Sequence, residues 1–131
     1  MNEIAMAAPS GTSMFSKYGG FAAVRGLVMD FYDRVLDSEI VGHHFDNVDM
    51  RRLVDHQTRF IAGLMGGPAE LDEGRLARAH RHLGISGEEF EEIVDLLSQT
   101  LSAGGVAESD CDSVIETVER FRHDIVTERR P

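Results

Sequence analysis

The spacing of apolar residues constrains this chain most, because it follows a helical period of three and four positions through each long segment. One such stripe contains Met50, Leu53, Val54, Gln57, Phe60, Ile61 and Leu64. No segment alternates with a period of two for long enough to predict a β-strand. At 131 residues the chain can bury one hydrophobic core. We therefore predict an all-α domain over residues 14–127, a flexible N-terminal tail over residues 1–13 and a frayed C-terminus over residues 128–131.

Turn and capping residues divide the first half of this pattern into helices. A helix is predicted from Phe21 to Leu36, after the Gly19-Gly20 pair. Gly26 lies inside it and either permits a close helix crossing or is simply tolerated. The helix that carries the stripe from residue 50 to residue 64 is predicted to be capped by Asp46 or Asn47.

The second half carries clearer helix-start signals. Ser86 and Glu89 have the spacing of a capping box, which predicts a helix that runs to Gly104. Ser109 is expected to cap a final helix that ends near Ile125.

The charge and cysteine content exclude several classes of function. The formal net charge of -10 would repel nucleic acid and anionic membrane surfaces, so neither is an expected partner. Cys111 is the only cysteine, so no internal disulfide can form and a reducing compartment is indicated. The first residues lack the basic cluster and apolar run of a signal peptide or membrane span. We expect a soluble, cytoplasmic protein.

His80 lies on the apolar side of a short helix predicted over residues 75–83. The ordinary interpretation of one such histidine is a core residue bonded to a backbone carbonyl. A second polar set, Tyr32, His56 and Gln57, occurs on helices that must pack against the same core. An imidazole on one wall of an apolar cavity and hydrogen-bonding groups on the other are what haem iron with a diatomic ligand requires.

These residues belong to an ordered set of short motifs. The set is Gly19-Gly20, Asp30-Phe31-Tyr32-Asp33-Arg34-Val35-Leu36, Phe45, Val48-Asp49-Met50, His56-Gln57, Gly66-Gly67-Pro68, His80, Gly84-Ile85 and Phe90. In its order and spacing, over about residues 14–126, the chain resembles the truncated haemoglobins and is most like the first of their groups. The resemblance implies a two-over-two helical sandwich around haem b.

The resemblance also implies roles for individual residues. His80 would be the proximal iron ligand, and Tyr32 and Gln57 would form the distal hydrogen-bonding pair. Leu53 falls at the position where many globins have a distal histidine, and Phe45 would pack against the haem face. The other apolar residues expected to contact the cofactor are Phe60, Ile61, Leu76, Leu83, Ile85, Phe90 and Val94.

The remaining histidines have open interpretations. His56 borders the buried stripe, so it either coordinates the iron as a second axial ligand or points to water. His82 is expected to be solvated. His43 and His44 lie either near the haem edge or simply in a loop, and no histidine pair has the helical spacing, with a carboxylate partner, that would indicate zinc.

Arginines near the two pocket helices are candidates to pair with the haem propionates. They are Arg51, Arg52, Arg75, Arg78 and Arg81.

Three functions compete at this point. The first is a haem protein that binds O2, NO and CO and converts nitric oxide to nitrate with the help of an unidentified reductase. The second is a redox or gas-sensing module in which His56 and His80 both bind the iron. The third is a helical interaction domain that has lost haem and uses its acidic surface to bind a protein.

Overall fold

The computed structural model describes residues 13–68, 73–81 and 83–127, of which residues 73–76 are described as backbone alone. These residues form helices and turns, and the described ranges contain no strand, which confirms the predicted all-α fold. In chain order the elements are α1 (Met14–Lys17), α2 (Gly20–Leu36), a 3₁₀ helix (Gly42–Phe45), α3 (Met50–Leu64), α4 (Glu73–His80), α5 (Gly87–Ala103), α6 (Glu108–Glu119) and α7 (Arg122–Ile125). None of the helices in this part of the chain is long and apolar enough to cross a membrane. The N-terminal tail, up to residue 12, and the C-terminus from residue 128 lie outside the described residues.

Helix α2 is the centre of the core, because it packs against both α3 and α5. Its buried residues Val24, Val28, Phe31 and Val35 recur at intervals of three and four, so one face of the helix points inward. Gly26 lies on the exposed face, and nothing lies within 4 Å of the position that its Cβ would take. Gly26 is therefore tolerated and does not mark a helix crossing.

Helix α3 begins two or three residues later than predicted. Its N-cap is Asp49, whose carboxylate accepts a hydrogen bond from the backbone N–H of Arg52 at 3.3 Å. The expectation that Asp46 or Asn47 caps this helix is wrong. Both residues lie in the turn that leaves the 3₁₀ helix, whereas Asp49 has the extended backbone that an N-cap requires.

Helix α5 begins at the capping box that the sequence predicts. The Ser86 hydroxyl accepts a hydrogen bond from the backbone N–H of Glu89 at 3.0 Å. In return, Oε1 of Glu89 accepts a hydrogen bond from the backbone N–H of Ser86 at 2.9 Å. The box fixes both the start of the helix and the orientation of the Glu89 carboxylate.

Helix α6 has no side-chain cap, and the prediction that Ser109 caps it is wrong. The helix begins two residues earlier than such a cap would place it, after Ala107. The backbone N–H of Ala107 donates instead to the hydroxyl of Tyr18, just after α1, at 2.9 Å. That hydroxyl donates to Asp110 at 2.6 Å. A contact between distant parts of the chain therefore takes the place of a local cap.

The last helical segment is interrupted rather than continuous to Ile125. Between α6 and α7 the buried Phe121 points inward, and its ring centroid lies 5.9 Å from that of Phe60 on α3. Helix α7 then packs against α4. Phe121 therefore links α3 to the segment that packs against α4, the helix that ends at His80.

Candidate functional site

Tyr32 is buried on the inner face of α2. Its ring meets those of Phe31 and Phe45 edge to face, with centroid distances of 4.9 Å and 5.7 Å. Burial raises the pKa of Tyr32 to about 12, although a hydrogen bond with the side chain of Gln57 lowers it. The phenol is therefore neutral at physiological pH and keeps the proton that it can donate.

Gln57 lies half-buried on α3, on the same side of the helix as Leu53 and Phe60. Leu53 and Phe60 are also half-buried and pack against the core. The structure thus brings together the predicted pair of Tyr32 and Gln57, one from α2 and one from α3. This pair is a small polar group among apolar side chains.

His56 is exposed on the outer side of α3. Its neighbour Asp55 is bound by the guanidinium of Arg25 on α2, which lowers the pKa of the Asp55 carboxyl. The charges of Arg59 and His56 lower this pKa further. His56 therefore belongs to a charged surface patch, as its solvated interpretation expects.

His80 is the last residue of α4 and is half-buried. Its backbone carbonyl accepts hydrogen bonds from the N–H of Leu83 at 3.0 Å and from the hydroxyl of Thr127 at 3.2 Å. The N–H of Thr127 also donates to the carbonyl of Ile85 at 3.0 Å. Sequence reasoning missed Thr127, because nothing in the local pattern links residue 127 to residue 80. The two hydrogen bonds that Thr127 donates hold the turn that follows His80.

The apolar residues expected around the cofactor differ in exposure. Ile61 and Phe90 are buried, while Phe45, Phe60, Ile85 and Val94 are half-buried. Leu83 is 38% exposed. The side chain of Leu76 and the whole of His82 lie outside the described residues.

Phe90 and Val94 lie on α5 close to the charged side chain of Arg122. The Arg122 guanidinium lies over the Phe90 ring, 4.8 Å from its centroid. Val94 lines a surface groove together with Arg122 and Ile115. These two predicted contacts of the cofactor therefore have an arginine of α7 as their neighbour.

Comparison with known proteins identifies the family. A family model described as bacterial-like globin matches residues 13–127. The group 1 truncated hemoglobin of Tetrahymena thermophila is 31% identical over 112 residues, which cover 86% of this chain and 93% of the relative. That of a Synechocystis species is 35% identical over 101 residues, which cover 74% of this chain and 82% of the relative.

This chain belongs to the group 1 truncated haemoglobins. Solved structures agree with this conclusion. The ferric truncated hemoglobin of Tetrahymena pyriformis matches this chain with a TM-score of 0.80 at 30% identity, over 88% of this chain and 98% of the other. The 2/2 hemoglobin of a Synechococcus species, solved in the cyanomet state with covalently attached heme, has a TM-score of 0.81 at 31% identity. This match covers 89% of this chain and 100% of the Synechococcus chain. The predicted family and the two-over-two fold are therefore confirmed.

Globins are haem proteins that bind diatomic gases, and the described residues of this globin fit such a group. The donor chemistry fits, because histidine is the ordinary axial ligand of globin iron and the chain offers a half-buried histidine at position 80, His80. The surroundings fit as well, because Leu83 and Ile85, which follow His80 in the chain, add apolar surface at this end of α4, Leu83 partly exposed and Ile85 half-buried against the core. Arg78 and Arg81 flank His80 and are exposed, so they are available to carboxylates at the edge of a haem.

Proposed function

We propose that this globin binds haem b through His80 and holds O2, NO or CO on the side of Tyr32 and Gln57. The observation that carries the proposal is the hydrogen-bonded pair of the buried Tyr32 and the half-buried Gln57. A phenol and an amide among apolar side chains cost stability unless they bind one another and a polar ligand. Bound haem would supply an iron centre that takes a diatomic gas and loses one electron when nitric oxide and O2 combine to nitrate.

In this proposal the two distal residues have different roles: Gln57 orients the phenol, and Tyr32 donates to the ligand. We assign the Gln57 amide as the donor and the Tyr32 hydroxyl oxygen as the acceptor of their hydrogen bond, an arrangement that orients the phenol. The Tyr32 proton is then left for the ligand. Because burial holds the pKa of Tyr32 near 12, this proton is present throughout the physiological range. A donor fixed in this way stabilises charge that develops on a bound gas without reorganisation.

We extend the proposal to nitric oxide dioxygenase activity, which consumes nitric oxide and O2 and produces nitrate. Each turnover removes one electron, so the activity needs a reductase partner to return it. The distal donor pair supports this activity, because it favours retention of polarised O2 until nitric oxide arrives.

The exposed position of His56 favours a pocket that is open to external ligands over one closed by its own histidine. For His56 to act as a second axial ligand, it would have to leave the surface beside Asp55 and turn into the core. We therefore expect the ferrous protein to be five-coordinate. A low-spin, six-coordinate ferrous spectrum that disappears in His56→Ala would favour the redox or sensing alternative.

The rate of O2 dissociation tests the distal pair. Tyr32→Phe removes the donor and should raise that rate about ten-fold, the effect of a hydrogen bond worth roughly 1.4 kcal/mol. Tyr18→Phe is the matched control, since the Tyr18 hydroxyl binds Asp110 and Ala107. It should leave the rate unchanged. An unchanged rate in Tyr32→Phe would show that the phenol does not contact the ligand.

A further inference from the structure

Three potential metal ligands meet where the 3₁₀ helix packs beside the start of α5. Nε2 of His44 lies 2.8 Å from Oε2 of Glu89, and Nε2 of His43 lies 3.6 Å from the same oxygen. One donor atom from each of the three residues can be chosen so that all lie within 4.8 Å of one another. Two imidazole nitrogens and one carboxylate oxygen therefore converge on one point.

The two histidines are neighbours in sequence, and neighbours on a helix do not normally share a face. Here the two imidazole centroids are only 4.2 Å apart, and the rings are inclined by 33°. His43 is exposed, while the side chain of His44 is only 17% exposed. The pair is thus accessible from solvent on one side and supported by the protein on the other.

The carboxylate of Glu89 is already oriented. Its Oε1 accepts a hydrogen bond from the backbone N–H of Ser86, so Oε2 is the atom that faces the two imidazoles. The hydrogen bond from Ser86 therefore has the role of a secondary contact that orients a metal ligand.

We propose that His43, His44 and Glu89 bind a divalent transition-metal ion, Zn²⁺ in the first instance. Two imidazoles and one carboxylate form a known set of protein ligands for zinc, and the fourth position is left to water. The imidazole N–H that now donates to Glu89 would move to the other ring nitrogen of His44, which frees Nε2 for the metal. The net charge of -10 attracts cations to this surface.

This site is independent of the proposed haem function, since none of its three ligands belongs to the distal pair or to α4. It does adjoin the pocket. Phe45 follows His44 directly, and its ring lies 5.7 Å from that of Tyr32. A bound ion would tie the 3₁₀ helix that carries Phe45 to the start of α5.

Zinc titration of the full chain, in competition with a chelating indicator dye, tests the proposal. We expect one saturable site per chain, with affinity reduced at least ten-fold in His43→Ala, His44→Ala and Glu89→Gln. His123→Ala is the matched control, because His123 is exposed and lies on α7. It should bind zinc as the natural protein does. Mg²⁺ should not compete, because imidazoles are poor ligands for it.

Glu89→Gln keeps the capping box, since glutamine serves at this position as glutamate does, so loss of zinc binding would not reflect loss of the helix start. His43→Ala alters an exposed side chain and provides a second test should Glu89→Gln fold poorly. Equal zinc affinity in His43→Ala, His44→Ala and His123→Ala would overturn the proposal. The absence of any saturable site at millimolar Zn²⁺ would do so as well, and the three residues would then form an ion pair only.

Discussion

Tyr32→Phe should change how the stability of the protein depends on alkaline pH. Burial raises the pKa of Tyr32 from its ordinary value of 10.0 to about 12. A ten-fold change in an ionisation constant corresponds to about 1.4 kcal/mol, so the difference between the two states amounts to roughly 3 kcal/mol. Because the unfolded chain loses this proton first, stability conferred by the neutral phenol is complete below pH 10 and is lost as the pH rises toward 12.

The assay is urea denaturation followed by far-ultraviolet circular dichroism at a series of pH values from neutral to strongly alkaline. Every other titrating group is common to both proteins, so the difference in unfolding free energy between the natural protein and Tyr32→Phe isolates Tyr32. That difference should be constant near neutral pH. Between pH 10 and pH 12 the natural protein should then lose roughly 3 kcal/mol of unfolding free energy relative to Tyr32→Phe.

Tyr18→Phe retains Tyr32 and should therefore retain this alkaline loss. If the free-energy difference between the natural protein and Tyr32→Phe stayed flat up to pH 12, the phenol would ionise as easily in the folded state as in the unfolded one. The burial of Tyr32, and with it the permanently protonated donor of the proposed site, would then be refuted.

Two further substitutions test the packing that supports the site. Thr127→Val removes the hydroxyl that donates to the carbonyl of His80 but keeps the N–H that donates to Ile85. Because one hydrogen bond worth about 1 kcal/mol is lost, haem should transfer to excess apomyoglobin roughly five-fold faster. An unchanged rate would mean that the hydrogen bonds of Thr127 do not support the pocket. Gly42→Ala would place a Cβ 2.9 Å from the carbonyl oxygen of Leu36 and should destabilise the protein by about 1–3 kcal/mol in urea denaturation. Gly26→Ala, which meets nothing within 4 Å, should instead stabilise it by up to about 1 kcal/mol, so a similar cost at both glycines would contradict the close approach at Gly42.

The features that could be predicted from sequence are those fixed by neighbouring residues. Apolar residues repeat at helical spacing along α2 and α3, and each helix must bury that face wherever it packs. The capping box of Ser86 and Glu89 is complete within four consecutive residues, so the local sequence is enough to predict its geometry. The pairing of Tyr32 with Gln57 was expected from the resemblance to the truncated haemoglobins, because the pattern of residues alone indicates only that an amide on a buried stripe needs a partner.

The features that could not be predicted depend on residues far apart in the chain. Helix α6 begins where it does because the Tyr18 hydroxyl binds Ala107, which no local signal at residue 107 reveals. The interruption before α7 places Phe121 against Phe60, a contact between distant segments. The cluster of His43, His44 and Glu89 has no metal-site signature in the sequence, because its carboxylate comes from another helix and its histidines are adjacent.

The most direct test of the central claim is the visible spectrum of the reduced protein, measured for the natural sequence and for His80→Gly. We predict haem absorbance with a five-coordinate ferrous signature that His80→Gly loses and that added imidazole restores, since imidazole can replace the missing ligand. A reduced spectrum that His80→Gly leaves unchanged would contradict the role of His80. A protein without haem absorbance even after reconstitution with haemin would contradict haem binding itself.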